Sequence, residues 1–302
     1  MNFDQHPYRL AARAFHDTDT AIAIGDTVIG AGATTIIAGP CAIESYERLL
    51  ADAVQLRARG VRLMRGGAFK PRTSPYSFQG HGAAGLEMFA AVREATGIGI
   101  VTEVLAVEDV EQVAAVADML QVGARNMQNF RLLDAVGRSG VPVLLKRGIA
   151  ATLDELLCAA EYIMAAGSPN VVLCERGTRG FEPQLRGTLD LGAVALLRTL
   201  THLPVIVDPS HATGVAALVR PVALGCLAAG ADGVMVEATI DPATAVVDGD
   251  QTITMPELGR LIEQATALIT ADGRQLNRLR EPASEHDDRA AKLHDERTTS
   301  AA

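Results

Sequence analysis

A chain of 302 residues suits one large domain or two medium ones, and 48% hydrophobic content supports a sizeable core. A formal net charge of -9, no Trp and only 4% aromatic residues argue against a nucleic-acid surface, which needs basic patches and stacking rings. No apolar run reaches the roughly 18 residues of a membrane span. The polar start MNFDQHPYRLAARAFHDTDT is unlike a signal peptide, and four scattered cysteines form no CxxC or disulfide framework. A cytoplasmic protein with no membrane or nucleic-acid partner is expected.

Thr20 to Gly30, TAIAIGDTVIG, alternates on both sides of Gly25-Asp26 and predicts a hairpin suited to plugging a barrel floor. Eight short, continuously apolar runs follow: TTIIAG from Thr34, GVRLMRGG from Gly60, GIVTEV from Gly99, MLQVGA from Met119, VPVLLKRG from Val141, NVVLCERG from Asn170, PVIVDPS from Pro204 and DGVMVEA from Asp232. Such runs are strands buried on both faces. The segments between them carry helical spacing. Val110, Val113, Ala114 and Ala117 share a face, as do Leu258, Leu261, Ile262 and Ala265 after Pro256. TLDE from Thr152 is a capping box, with Glu155 three residues past the cap.

Eight β–α alternations predict an α/β fold, a (β/α)8 TIM barrel over 34–280, preceded by a lead-in and hairpin over 1–33. An open doubly wound sheet is the alternative, but no GxGxxG follows the first strand. Residues 281–302, charged and poor in large apolar side chains, read as a disordered tail.

Active sites of such barrels form at the C-terminal ends of the strands. There this sequence gathers Arg65, Lys70, Arg72, Arg125, Lys146 and Arg176, with Glu103 among them. One arginine alone is usually a surface ion-pair partner. Six cations around one mouth require two anions, or one substrate bearing both phosphate and carboxylate. A second set, Cys41, His211, Glu237 and Asp248, offers a thiolate, an imidazole and two carboxylates, donors suited to a divalent Mn, Co, Fe or Zn ion. Singly, Cys41 reads as a buried filler and His211 as a hydrogen-bonded structural histidine. Cys158, Cys174 and Cys226 fall within strand or helix runs and are assigned to the core.

AGPCAIES, RGGAFKPRTSPYSFQGHG, TEV, GARNMQNFRLL, LLKRG, CERGTRGFE, VIVDPSHATG and VEATIDPATAVVDGDQTI, spread over Pro7 to Thr270, resemble 3-deoxy-7-phosphoheptulonate (DAHP) synthases of the class I beta type, relatives of the 3-deoxy-8-phosphooctulonate synthases. The resemblance implies condensation of phosphoenolpyruvate with erythrose 4-phosphate and water, giving DAHP and phosphate, the first step of the shikimate pathway. It implies one divalent metal ion on Cys41, His211, Glu237 and Asp248, and a homo-dimer or homo-tetramer. Arg65, Lys70, Arg125, Lys146 and Arg176, near Glu103, would hold phosphoenolpyruvate. Arg72, Thr73 and Ser74 would hold the acceptor phosphate, and Lys70 and His211 would carry protons.

KPRTS stands where octulosonate synthases, which use arabinose 5-phosphate, show an Ala-Asn-Arg-like motif. A Schiff-base aldolase using Lys70 or Lys146 is the rival from another mechanism. The residues before Thr34 are too few for an extra regulatory domain. Feedback inhibition by aromatic amino acids is therefore expected only through a separate chorismate mutase or regulatory subunit.

Overall fold

The computed structural model describes residues 7–72 and 74–276. The tail expected over 281–302 lies outside them, as does Thr73. Strands β1 (Ile22–Ile24) and β2 (Thr27–Ile29) pair antiparallel, Ile22 opposite Ile29. Their turn uses Gly25 at φ 57, a left-handed conformation that glycine adopts without strain.

All eight apolar runs become parallel strands: β3 (Ala33–Gly39), β4 (Leu63–Gly66), β5 (Gly99–Glu103), β6 (Met119–Val122), β7 (Val143–Lys146), β8 (Val171–Glu175), β9 (Val205–Val207) and β10 (Gly233–Thr239). Each pairs with its neighbour in sequence, and β10 pairs with β3, so the sheet closes. The chain is a (β/α)8 barrel. Helices α1 (Tyr46–Ala58), α2 (Ala83–Thr96), α3 (Val110–Ala114), α4 (Phe130–Arg138), α5 (Leu153–Ala165), α6 (Leu191–Leu200), α7 (Pro209–Thr213), α8 (Ala216–Ala228) and α9 (Met255–Ala271) separate or follow the strands. Among the described residues no helix is long and apolar enough to cross a membrane.

Local chemistry sets these boundaries. Ser45, Asn129, Thr152, Asp190 and Thr254 cap α1, α4, α5, α6 and α9, each side chain accepting a backbone N–H of the first turn. The capping box of Thr152 and Glu155 is present. The periodic segment from Val110 gives a helix of only five residues, preceded by a 3-10 turn over Val107–Asp109.

The strands bury both faces at a period of two. Ile36 and Ala38 of β3 pack outward beneath the helices, and Ile37 points inward. The inner layer takes Ile37, Leu63, Val101, Met119, Leu144, Val172, Ile206 and Met235, one from each strand. Ile22, Ile24 and Ile29 of the hairpin close this layer from below, so the hairpin is the floor plug. Cys174 joins the inner layer, Cys226 lies in the outer core, and Cys158 is only half-buried on α5.

Two residues further along six of the strands, the inward position changes character. It becomes Arg65, Glu103, Gln121, Lys146, Asp208 and Glu237, while on β8 Cys174 stays with the apolar layer. The alternation that packs the apolar layer therefore delivers polar groups to the layer above.

Candidate active site

Above that layer the strand ends and their loops enclose a cavity of about 310 Å³, a size suited to small metabolites. Arg65, Lys70, Arg72, Arg125, Lys146 and Arg176 all line it, with Glu103, Gln121, His211 and Asp248. Glu103 lies against Gly123 just past β6: a Cβ there would sit 2.0 Å from its Oε1, so a larger residue would displace the carboxylate.

The thiol, imidazole and carboxylate set converges. Cys41, His211, Glu237 and Asp248 bring one ligand atom each within 4.8 Å of one another. The Cys41 thiol donates to Asp248 Oδ2 at 3.0 Å, and Lys70 Nζ donates to Cys41 Sγ at 3.0 Å. Burial, and then the carboxylate of Glu237, push the thiol upward, against the opposing pull of Lys70 and Arg65. A divalent ion held there would supply the charge needed to displace that proton.

Asp208 caps the short α7 and orients His211 within it. Its Oδ1 accepts the His211 backbone N–H at 3.0 Å, and its Oδ2 lies 2.8 Å from Nδ1. A carboxylate only accepts, so Nδ1 carries the proton and Nε2 faces Glu237 Oε1 at 3.3 Å. Burial lowers His211, against Asp208 and Glu237, which favours the neutral imidazole that ligates metals. Burial alone would raise Asp208, but His211 and Lys146 outweigh it and hold it well below the usual carboxylate range. Glu237 behaves alike: against burial, His211, Arg65 and Lys70 hold it at about 2. Arg65 Nη1 donates to Glu237 Oε1 at 2.8 Å, while its buried Nε has no partner. The cation layer and the ligand set thus share one wall.

The sequence reading left out Gln121, Arg179, Arg186 and Gln251, and gave Asp208 a place at a strand end but no role. Arg179 and Arg186 line the cavity from the irregular segment between β8 and α6. Asp208 and Gln251 support the ligands from behind. Ser74 does not line the cavity; its Oγ accepts the backbone N–H of Tyr76 at 3.3 Å. Arg147 turns away to bind buried Glu175 at 2.8 Å.

Residues 14–271 match the DAHP synthetase I family. The chain is 47% identical over 271 residues to phospho-2-dehydro-3-deoxyheptonate aldolase of Thermotoga maritima, covering 90% of this chain and 80% of that one. The crystal structure of phospho-2-dehydro-3-deoxyheptonate aldolase (DAHP synthase) from that organism superposes with a TM-score of 0.88 at 46% identity, over 90% of this chain and 80% of that one. A truncated form of 3-deoxy-D-arabino-heptulosonate 7-phosphate synthase from the same organism gives 0.83 at 42% identity, covering 89% of this chain and 98% of that one. A 2-dehydro-3-deoxyphosphooctonate aldolase of Magnetococcus marinus is more distant, 32% identical over 76% of this chain and 85% of that one.

Proposed function

The chain belongs to the DAHP synthetase I family, and on that premise we infer that its cavity condenses phosphoenolpyruvate with erythrose 4-phosphate and water, giving DAHP and phosphate. The observation that carries this reading is one cavity in which eight cations, Arg65, Lys70, Arg72, Arg125, Lys146, Arg176, Arg179 and Arg186, face a thiol–imidazole–carboxylate cluster. Two phosphorylated substrates repel each other, and such a wall offsets that repulsion while fixing their approach.

Arg65, Lys70, Arg125, Lys146 and Arg176 hold the phosphate and carboxylate of phosphoenolpyruvate. Arg72 holds the acceptor phosphate. C3 of phosphoenolpyruvate bonds to the acceptor aldehyde carbon, whose oxygen takes a proton. C2 then accepts water, and its bond to the phosphate oxygen breaks, leaving the ketone. Lys70, whose Nζ lies beside the Cys41 sulfur, moves these protons, while His211, with Nδ1 held by Asp208, would serve the ion through Nε2. Cys41, His211, Glu237 and Asp248 fit a divalent ion by donor type and convergence. When bound, that ion supplies a Lewis acid for the acceptor carbonyl. Asp208 keeps the imidazole oriented throughout.

Phosphoenolpyruvate loss in purified protein, with erythrose 4-phosphate and then arabinose 5-phosphate, tests the reading. Turnover with the four-carbon sugar and little with the five-carbon sugar is expected. The reverse preference would assign the chain to the octulosonate branch. Borohydride inactivation in the presence of substrate would instead assign it to Schiff-base chemistry.

A further inference from the structure

We propose that Gln251 and Arg186 act as a pair that positions the metal-binding carboxylates, an inference that rests on the cluster of Cys41, His211, Glu237 and Asp248 holding a divalent ion. Gln251 is buried, 3% exposed. Its Nε2 donates to Glu237 Oε2 at 2.6 Å, and its Oε1 accepts from Arg186 Nη1 at 2.9 Å. A guanidinium only donates and a carboxylate only accepts, so the amide between them has one orientation. Arg186 therefore locks the amide in the orientation that the Glu237 carboxylate demands. With Oε2 tied to Gln251, Glu237 presents Oε1 to His211 Nε2 at 3.3 Å.

The same pair reaches Asp248. That residue sits at φ 57, a left-handed conformation that costs a non-glycine residue about 1 kcal/mol or more. Its backbone carbonyl accepts the Gln251 N–H at 3.3 Å and the Thr252 hydroxyl at 2.9 Å. Arg186 Nη1 lies 3.6 Å from Asp248 Oδ1. Arg186 is itself anchored beside the third ligand. Its backbone N–H donates to Thr213 O at 3.1 Å, and that of Gly187 to Ala212 O at 2.7 Å, immediately past His211. One hydrogen-bonded unit thus joins the segments bearing His211, Glu237 and Asp248, although neither Gln251 nor Arg186 is a ligand. Partners that orient a ligating carboxylate typically change metal affinity by about 10- to 100-fold.

The test is Mn affinity of the metal-stripped full-length protein, measured by calorimetry beside steady-state kinetics. Gln251→Leu should weaken Mn binding by about 10- to 100-fold. Arg186→Met should weaken it less, and Arg186→Lys, which keeps a donor and a charge, should restore it. Combining Arg186→Met with Gln251→Leu should cost little more than Gln251→Leu alone, because Arg186 acts chiefly through the amide and lies 3.6 Å from Asp248 Oδ1. Arg186 is well exposed, so its variants read out the pair even where Gln251→Leu fails to fold. Unchanged Mn affinity in Arg186→Met, with a raised KM for either substrate, would overturn the proposal and make Arg186 a substrate contact. Cys41→Ala separates the two readings. If it loses Mn while Gln251→Leu and Arg186→Met keep it, the positioning role alone fails. If Cys41→Ala itself keeps Mn, the metal site is elsewhere and the proposal falls with it.

Discussion

At the floor of the barrel, Arg198 donates to Asp232 Oδ1 and Oδ2 at 3.0 and 2.9 Å and reaches Asp19 at 3.3 Å, while Arg13 binds the other oxygen of Asp19. Arg62 meets Asp26 of the hairpin turn at 3.1 Å. At the mouth, Arg72, Arg125 and Arg179 make no side-chain hydrogen bond or ion pair among the described residues. Both ends of the barrel are thus rich in arginine, but the arrangements differ. Floor charges bind each other and hold the lead-in, hairpin and helices to the strands. At the mouth, Arg65 pairs with Glu237 and Lys146 with Asp208, whereas Arg72, Arg125 and Arg179 face the cavity without such a partner among the described residues. Sites built this way sacrifice stability for binding. A charge left without a protein partner at the cavity is evidence of a ligand.

The largest test of this contrast is Cys41→Ala. Activity should fall to that of a chelated wild-type sample, while the folded content by circular dichroism stays unchanged. Full turnover in a metal-free Cys41→Ala protein would break the assignment. The floor should respond in the opposite sense. Ile24 is 1% exposed beneath the inner layer, and Ile24→Ala should cost about 2–5 kcal/mol in urea unfolding with kcat per folded molecule preserved.

Asp52 sharpens the comparison because it is a buried carboxylate on α1 with hydroxyl and amide donors, Thr239 Oγ1 and Ile240 N, in place of a close cation. Burial raises it from 3.8 to about 6, against those hydrogen bonds. For a raised carboxylate the stabilising contribution is complete below the unfolded value and is lost as pH rises through the folded one. Stability should therefore decline between pH 3.8 and about 6, by about 3 kcal/mol, and Asp52→Asn should remove that decline. A smaller effect is expected for Arg72→Ala. A desolvated charge-assisted contact is worth about 2–3 kcal/mol, so KM for erythrose 4-phosphate should rise about 30- to 150-fold with KM for phosphoenolpyruvate little changed. Equal losses for both substrates would mean that Arg72 does not distinguish them.

Much of this was legible in the sequence for identifiable reasons. The eight apolar runs are buried on both faces, so hydrophobicity alone marks them. The hairpin announces itself through alternation around Gly25-Asp26. Charged residues at strand ends mark the mouth because the barrel's interior excludes unpaired charge elsewhere. The remaining residues carry weaker signals. Gln251 is neutral and lies three residues past Asp248, with nothing in composition to single it out. Arg179 and Arg186 lie in an irregular segment where no periodicity predicts which way a side chain points. Stepping two residues from Met119 along the inward face would have flagged Gln121, as the strand-end charge flagged Asp208. Cys174 shows the limit of that rule, since it sits on the inward face yet packs with the apolar layer.

The claim that Arg72, Arg125 and Arg179 lack protein partners among the described residues because they serve substrate anions is tested most directly by thermal unfolding of wild type and Arg125→Met, each with and without phosphoenolpyruvate. Ligand at about 100 times its Kd stabilises by about 2.7 kcal/mol, which should raise the wild-type Tm by roughly 4–5 °C for a chain of this length. Arg125→Met removes one repelling charge, so its ligand-free Tm should match or exceed that of wild type, and its shift with phosphoenolpyruvate should shrink. A lower ligand-free Tm together with an undiminished shift would contradict the account, because Arg125 would then hold the fold together and leave the anion untouched.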